Sequence, residues 1–208
     1  MQHIDAAKVN MFPGFEKGGD FVLNNGPSKT LWKFTNISVD PMLKGSHIYL
    51  LVVDSKVKKI GCSVTQVKKC ANYECGNGGS PSDRTTGIHY YIANELKQGR
   101  IVEFYYKMAP CVEAIEMRDI FDNLTSIKNV YIDPKTMENH YLESFKSRFG
   151  RLPEWNMQEQ GRKSDWPREI KNIRNALKDK KIIEYVEEHT NSEFLMLYHW
   201  KYNNVNTD

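Results

Sequence analysis

Six consecutive apolar or aromatic residues, Ile48 to Val53, stand between Ser46-His47 and a polar break at Asp54-Ser55-Lys56. A run of that length suits a strand buried on both faces. The polar break reads as a turn, after which the chain returns as Val57-Lys58-Lys59-Ile60-Gly61-Cys62-Ser63. The expectation is a β-hairpin at the centre of a sheet, which obliges the rest of the chain to cover two faces. It also sets Tyr49 and Lys59 on paired strands of a buried sheet, where a phenol and an ammonium point to chemistry.

Side chains alternate between faces along a strand, so the connection decides whether the two meet. A two-residue loop at Asp54-Ser55 pairs Leu50 with Lys59 and puts Tyr49 and Lys59 on opposite faces. A three-residue connection, Asp54 to Lys56, pairs Leu51 with Lys59 and leaves both on one face. Joint chemistry requires the odd-length connection.

His47-Ile48-Tyr49 followed by Lys59-Ile60-Gly61 resembles the paired motif of the GIY-YIG nuclease superfamily, with lysine where the second tyrosine usually stands. The chain resembles most the small Type II restriction endonuclease branch that carries this lysine. The likeness continues through Cys62-Ser63-Val64-Thr65, Asn72-Tyr73-Glu74-Cys75-Gly76, Thr85-Thr86 and Ile101-Val102-Glu103-Phe104-Tyr105-Tyr106 to Glu138-Asn139-His140-Tyr141-Leu142-Glu143-Ser144-Phe145. It spans roughly residues 46 to 156. Each short motif is weak alone; the ordered set at matching spacing is more specific. The resemblance implies an α+β fold, a small central sheet flanked by helices, with an N-terminal arm or edge hairpin over 1–45, a core over 46–156 and a basic helical extension over 157–208.

Length and composition fit that reading. A chain of 208 residues with 40% hydrophobic content, including eleven tyrosines, nine phenylalanines and four tryptophans, builds one largely aromatic core. Phe21-Val22-Leu23 and Leu31-Trp32-Lys33-Phe34 are strand candidates in the Gly/Asn-rich start. Ser63 or Thr65 caps a helix to about Tyr73, with Val64, Val67 and Ala71 inward. A second helix runs from about Thr86 to Gln98, burying Ile88, Tyr91, Ile92 and Leu96, and Gly99 ends it. Ile101 to Met108 alternates as a strand, and residues 111–132 are ambiguous. Asp133-Pro134 starts a helix that ends near Gly150. Trp166-Pro167 opens a basic helix with Ile170, Ile173 and Leu177 on one face, and Glu193 to Tyr202 reads as a strand or helix.

Hydrolysis of a phosphodiester at neutral pH usually needs a metal and a carboxylate to hold it. On the helix after Pro134, Glu138 shares a stripe with Leu142, Phe145 and Phe149, whereas Glu143 lies on the polar side with Lys146 and Ser147. A carboxylate on an apolar stripe needs a reason to be there. Glu138 is therefore the candidate ligand for one Mg²⁺ or Mn²⁺, and the resemblance points to the same position. The plain alternative is that Glu138 only favours the helix dipole, and that Tyr49 is a core aromatic.

In the nuclease reading Tyr49 is the general base. A phenol ordinarily ionises near pH ~10 and is a poor base at neutrality; a nearby ammonium from Lys59 favours its ionised form. Lys59 otherwise orients the attacking water or touches the phosphate. The superfamily usually places a phosphate-holding arginine on the helix after its second motif. Here that stretch offers Lys68 and Lys69, of which Lys69 fits best, without bidentate geometry. Tyr73 lies on the same helix within reach of the site, or simply packs.

The formal charge is only +3, but residues 145–181 hold eleven basic and five acidic residues. That segment supplies candidate DNA contacts at Arg148, Arg151, Arg162, Lys163, Arg168, Lys171, Arg174 and Lys178. The partner expected is double-stranded DNA, bound by a homodimer if the target is palindromic. Met1 to Asn10 lacks the apolar core of a signal peptide and no run is long enough to span a membrane, so the expectation is a cytoplasmic protein with reduced Cys62, Cys70, Cys75 and Cys111. Competing expectations are a non-catalytic DNA-binding relative, a phage or homing-type nuclease, and a zinc-stabilised module using these cysteines with His89.

Overall fold

The computed structural model describes residues 7–24, 31–35, 38, 40, 43, 45–65, 67, 73, 82–118, 122 and 124–178. Its centre is the expected hairpin. Strand β3 (His47–Val53) is buried along its whole length and pairs antiparallel with β4 (Lys56–Ser63). On its other side β3 pairs with β5 (Val102–Met108), which pairs with β1 (Glu16–Leu23), and β1 with β2 (Trp32–Thr35). The strand order is β2-β1-β5-β3-β4. Both strand candidates of the N-terminal stretch thus extend the sheet: β1 is one of its inner strands and β2 its far edge. A separate two-stranded sheet, β6 (Cys111–Arg118) with β7 (Leu124–Tyr131), fills the stretch that the sequence left ambiguous.

Each face of β3 carries its own core. Tyr49, Leu51 and Val53 pack with Phe104 of β5, with Ile88 and Ile92 of helix α1 (Asp83–Lys97), and with Trp166 and Ile170 of helix α3 (Trp166–Lys178). Ile48, Leu50, Val52 and Ile60 pack with Leu142 and Phe145 of helix α2 (Pro134–Phe149). The result is α+β: a small antiparallel sheet flanked by helices. Helix α3 lies close on α1 because Gly87 leaves room for Trp166; a Cβ there would stand 2.2 Å from the indole Cζ3.

The helix ends follow local chemistry. Ser82 caps α1 by accepting from the Thr85 amide, and Asp133 caps α2 by accepting from the Thr136 amide at 2.8 Å with Pro134 behind it. Gly150 closes α2 in the left-handed conformation, φ 70°. The candidate helix over 63–73 and the element at 193–202 fall largely or wholly outside the described residues. Within the former, Val67 is fully buried as expected, but Val64 is 65% exposed and does not join an inner stripe.

The hairpin corrects the expected connection. The turn has two residues, Asp54 and Ser55, both left-handed at φ 46° and 66°, the conformation that suits strand twist. Asp54 is anchored by its backbone and side chain to Ile101. The register nevertheless pairs Leu51 with Lys59 and Tyr49 with Gly61, because β4 carries one extra residue, Lys58, between the Val52–Val57 and Leu51–Lys59 pairs. A β-bulge supplies the odd residue that a three-residue loop was expected to supply.

Candidate active site on strands 3 and 4

The bulge puts Tyr49 and Lys59 on the same face of the hairpin. Tyr49 lies flat across Gly61, its cross-strand partner: a Cβ on Gly61 would stand 2.3 Å from Tyr49 Cζ and 2.4 Å from its hydroxyl oxygen. Glycine is required there by a side chain rather than by a turn. The Tyr49 ring stacks on Phe104 at 5.9 Å, and its hydroxyl shares a 2.5 Å hydrogen bond with the Tyr73 hydroxyl. Two tyrosines the sequence left as site or packing residues therefore meet through their oxygens, buried but not sealed, at 8% and 7% exposure.

Lys59 is buried at 3% exposure. Burial lowers the pKa of its ammonium to about 8, with Glu159 and Glu138 opposing that shift and Arg84 and Lys135 adding to it. Lys59 is thus a cation at neutral pH, close to its titration point. Glu159 and Arg84 are exposed side chains that the sequence reading missed. Arg84 stands in the first turn of α1, where the helix dipole adds to its positive field. Its only signal in the sequence is that it is an arginine shortly after the Gly/Ser loop.

Glu138 occupies the position its helical stripe predicted. It is 5% exposed, in line with buried Leu142 and Phe145 and half-buried Phe149, while Glu143 is exposed. It approaches β4 on the α2 face, beside Cys62, whereas Tyr49 and Lys59 belong to the opposite face of the hairpin; what reaches Lys59 from Glu138 is its charge. Its Oε2 accepts from Lys135 Nζ at 2.7 Å and from the Cys62 thiol at 3.0 Å. Burial and the adjacent carboxylate push the Cys62 thiol up to about 12, so it stays protonated and donates. Among the described residues Glu138 Oε1 takes no protein hydrogen bond, and no three His, Cys, Asp or Glu side chains converge on one point. One hard carboxylate oxygen with waters fits a hexacoordinate Mg²⁺ or Mn²⁺; a closed zinc site would need more ligands. His89, the proposed zinc partner, instead packs on Trp32 at 5.0 Å in the opposite core from Cys62, and burial lowers it to about 4, so it is neutral. Cys111 lies exposed on the β6–β7 hairpin.

A further residue braces the motif. Asn156, fully buried, donates through Nδ2 to the Ile60 carbonyl at 2.8 Å and accepts through Oδ1 from the Ile60 amide at 3.0 Å. It behaves as a neighbouring strand would on the outer edge of β4, between Lys59 and Gly61. The Trp155 amide donates to the carbonyl of the bulge residue Lys58 at 2.9 Å. Nothing in the local sequence marks Asn156, because its partner is 96 positions away.

The candidate DNA contacts divide. Lys68 and Lys69 lie outside the described residues. Arg148, Arg151, Lys163, Arg168 and Lys171 are exposed. Arg162 is half-buried and paired with Asp165 at 3.1 Å and Glu169 at 3.7 Å; Arg168 pairs with Asp165 at 3.3 Å. Arg174 is buried at 8% exposure, which withdraws it from any phosphate. The side chain of Lys178 is not among those described. Among the described residues no helix is long and apolar enough to cross a membrane.

No family model and no curated protein matches the chain. Solved structures align with it, among them the following two. A point mutant of bacteriophage T4 EndoII is 19% identical, covers 68% of this chain and 91% of its own, and has a TM-score of 0.43. Restriction endonuclease HPY188I, solved with product DNA, is 23% identical, covers 72% of this chain and 85% of its own, and has a TM-score of 0.40.

Proposed function

We propose that this chain is a metal-dependent endonuclease of double-stranded DNA, of the GIY-YIG type, acting as a Type II restriction enzyme. The observation that carries the reading is the packing of Tyr49 on Gly61 with buried Lys59 on the same face. A β-bulge, a glycine and a buried cation all converge on one phenol, and a tyrosine serving only to fill space needs none of them.

In this reading Tyr49 takes the proton of the attacking water. Tyr49 enters the step as its phenolate, to which the Tyr73 hydroxyl donates and which the Lys59 ammonium favours; accepting the proton leaves it a neutral phenol. Arg84, with Lys69, holds a phosphate oxygen. Glu138, whose Oε2 accepts from Lys135 and Cys62, would hold one Mg²⁺ or Mn²⁺, which would supply neutralisation of charge at the scissile phosphate and leaving oxygen. Arg148, Arg151, Lys163, Arg168 and Lys171 meet DNA phosphates and set position more than sequence. Cleavage of both strands of a palindrome calls for a homodimer.

One observation favours a second reading. Glu138 Oε2 is taken by a lysine and a thiol, which suits a DNA-binding relative without catalysis. Incubating the purified protein with phage-genome and plasmid DNA, in Mg²⁺, Mn²⁺ or EDTA, separates the two. Discrete fragments that require metal support the nuclease; a gel shift with intact DNA in every lane supports the second reading.

A further inference from the structure

The β6–β7 hairpin has no role in the site described above and, among the described residues, is hydrogen-bonded to no strand of the main sheet. Every residue of β6 is exposed, and so are Leu124 (51%), Ile127 (59%) and Tyr131 (43%) on β7. A lone two-stranded ribbon is marginal in water, and exposed apolar side chains add to the cost. A partner that paired with it and covered these side chains would relieve that cost.

DNA is a poor candidate. Residues 111–131 contain four acidic and two basic residues in a chain that is otherwise basic, so the ribbon repels a phosphate backbone. The two outer edges differ as well. β6 carries Glu113, Glu116 and Arg118, the kind of charge that blocks edge pairing. β7 runs Leu-Thr-Ser-Ile-Lys-Asn-Val-Tyr, with one charge and neither glycine nor proline. It is the unguarded edge.

We propose that β7 pairs antiparallel with β7 of a second copy of this chain, about a two-fold axis at Ile127, making a continuous four-stranded sheet. A two-fold perpendicular to a sheet keeps each side chain on its own face, so only residues of like parity oppose each other. The two longest such registers centre on Ile127 and on Lys128. The second sets lysine against lysine, which destabilises a sheet. The first sets Ile127 against Ile127 of the second copy, Thr125 against Asn129 and Ser126 against Lys128, with no like charges opposed. This interface stands whether or not the chain cleaves DNA.

Analytical ultracentrifugation of the full chain at micromolar concentration tests it, with Ile127→Lys beside wild type. The expected result is a dimer that becomes a monomer in Ile127→Lys, with an unchanged circular dichroism spectrum. A complementary variant, Ile127→Cys, places two thiols across the axis within disulfide range. Mild oxidation is expected to link copies through residue 127, identified by mass spectrometry of the joined peptide. A monomeric wild type, a dimer that persists in Ile127→Lys, or oxidised Ile127→Cys with no 127–127 link overturns the proposal. Photocrosslinking of the hairpin to DNA in place of a second copy does so too.

Discussion

Gly61 stands directly across the hairpin from Tyr49, and the tyrosine ring fills the space that any Cβ at position 61 would need. Gly61→Ala therefore moves the Tyr49 hydroxyl without removing it. A displacement on the order of 1 Å at a reacting group costs about 100-fold in rate, so single-turnover DNA cleavage is expected to fall by at least that factor. Overpacking costs about 1–3 kcal/mol of stability, which thermal unfolding will register as a modest shift of a protein that still folds.

Lys59 links pH to stability and to rate in opposite directions. Its folded pKa, about 8, lies below its unfolded value because burial disfavours the ammonium. Between about pH 8 and the ordinary lysine range near ~10.4 the unfolded chain binds the proton and the folded one does not, so stability rises with pH there, by about 3 kcal/mol at most. Catalysis needs the ammonium, so kcat falls as pH passes about 8. Glu159→Gln removes a charge that holds the pKa up and moves the falling limb to lower pH. A pH–rate profile beside urea unfolding at pH 7.5 and 9.5 checks both; a kcat that rises through pH 8 would make neutral Lys59 a base instead.

Lys135 sits on the carboxylate assigned to the metal, 2.7 Å from Glu138 Oε2, with more than half of its own side chain in solvent. An ammonium there competes with a divalent cation. Lys135→Ala is expected to lower the Mg²⁺ concentration for half-maximal cleavage by about two- to five-fold, in keeping with a partly exposed ion pair. Titration of rate against Mg²⁺ measures this, and an unchanged half-saturation point contradicts the assignment of Glu138.

Asn156 holds both backbone groups of Ile60. Asn156→Ala strands a buried amide and a buried carbonyl, at about 1–3 kcal/mol each. The expected result is a melting temperature lower by roughly 10 °C and a slower enzyme at temperatures where the variant is still folded. Asn156→Asp keeps the acceptor for the Ile60 amide, loses the donor and introduces a buried charge, so it does not rescue.

The legible parts of this molecule are those whose causes are local. The run from Ile48 to Val53 is the fully buried strand it reads as. Asp133-Pro134 and Gly150 bound a helix because cap and left-handed chemistry act within a few residues, and the spacing from Glu138 to Phe145 alone places that carboxylate on the buried side. The bulge at Lys58 was not legible, because it is braced by Trp155 and Asn156 from the far side of the chain. Arg84 and Glu159 reach Lys59 only through tertiary approach. The β6 stretch resisted a reading since all of its residues are exposed, so no buried face selected a clean alternation. Arg174 shows the limit of charge counting: it lies in the basic segment yet is buried with Ile170 and Ile173.

The most direct test of the catalytic claim is the single-turnover cleavage rate of Tyr49→Phe in Mg²⁺, with DNA affinity measured on the same preparation. Phenylalanine keeps the ring on Gly61 and Phe104 and deletes only the oxygen that meets Tyr73. The account predicts unchanged DNA affinity and a rate reduced by about 100-fold or more, within the range a general base contributes. Cleavage at the wild-type rate would contradict it and return Tyr49 to the core.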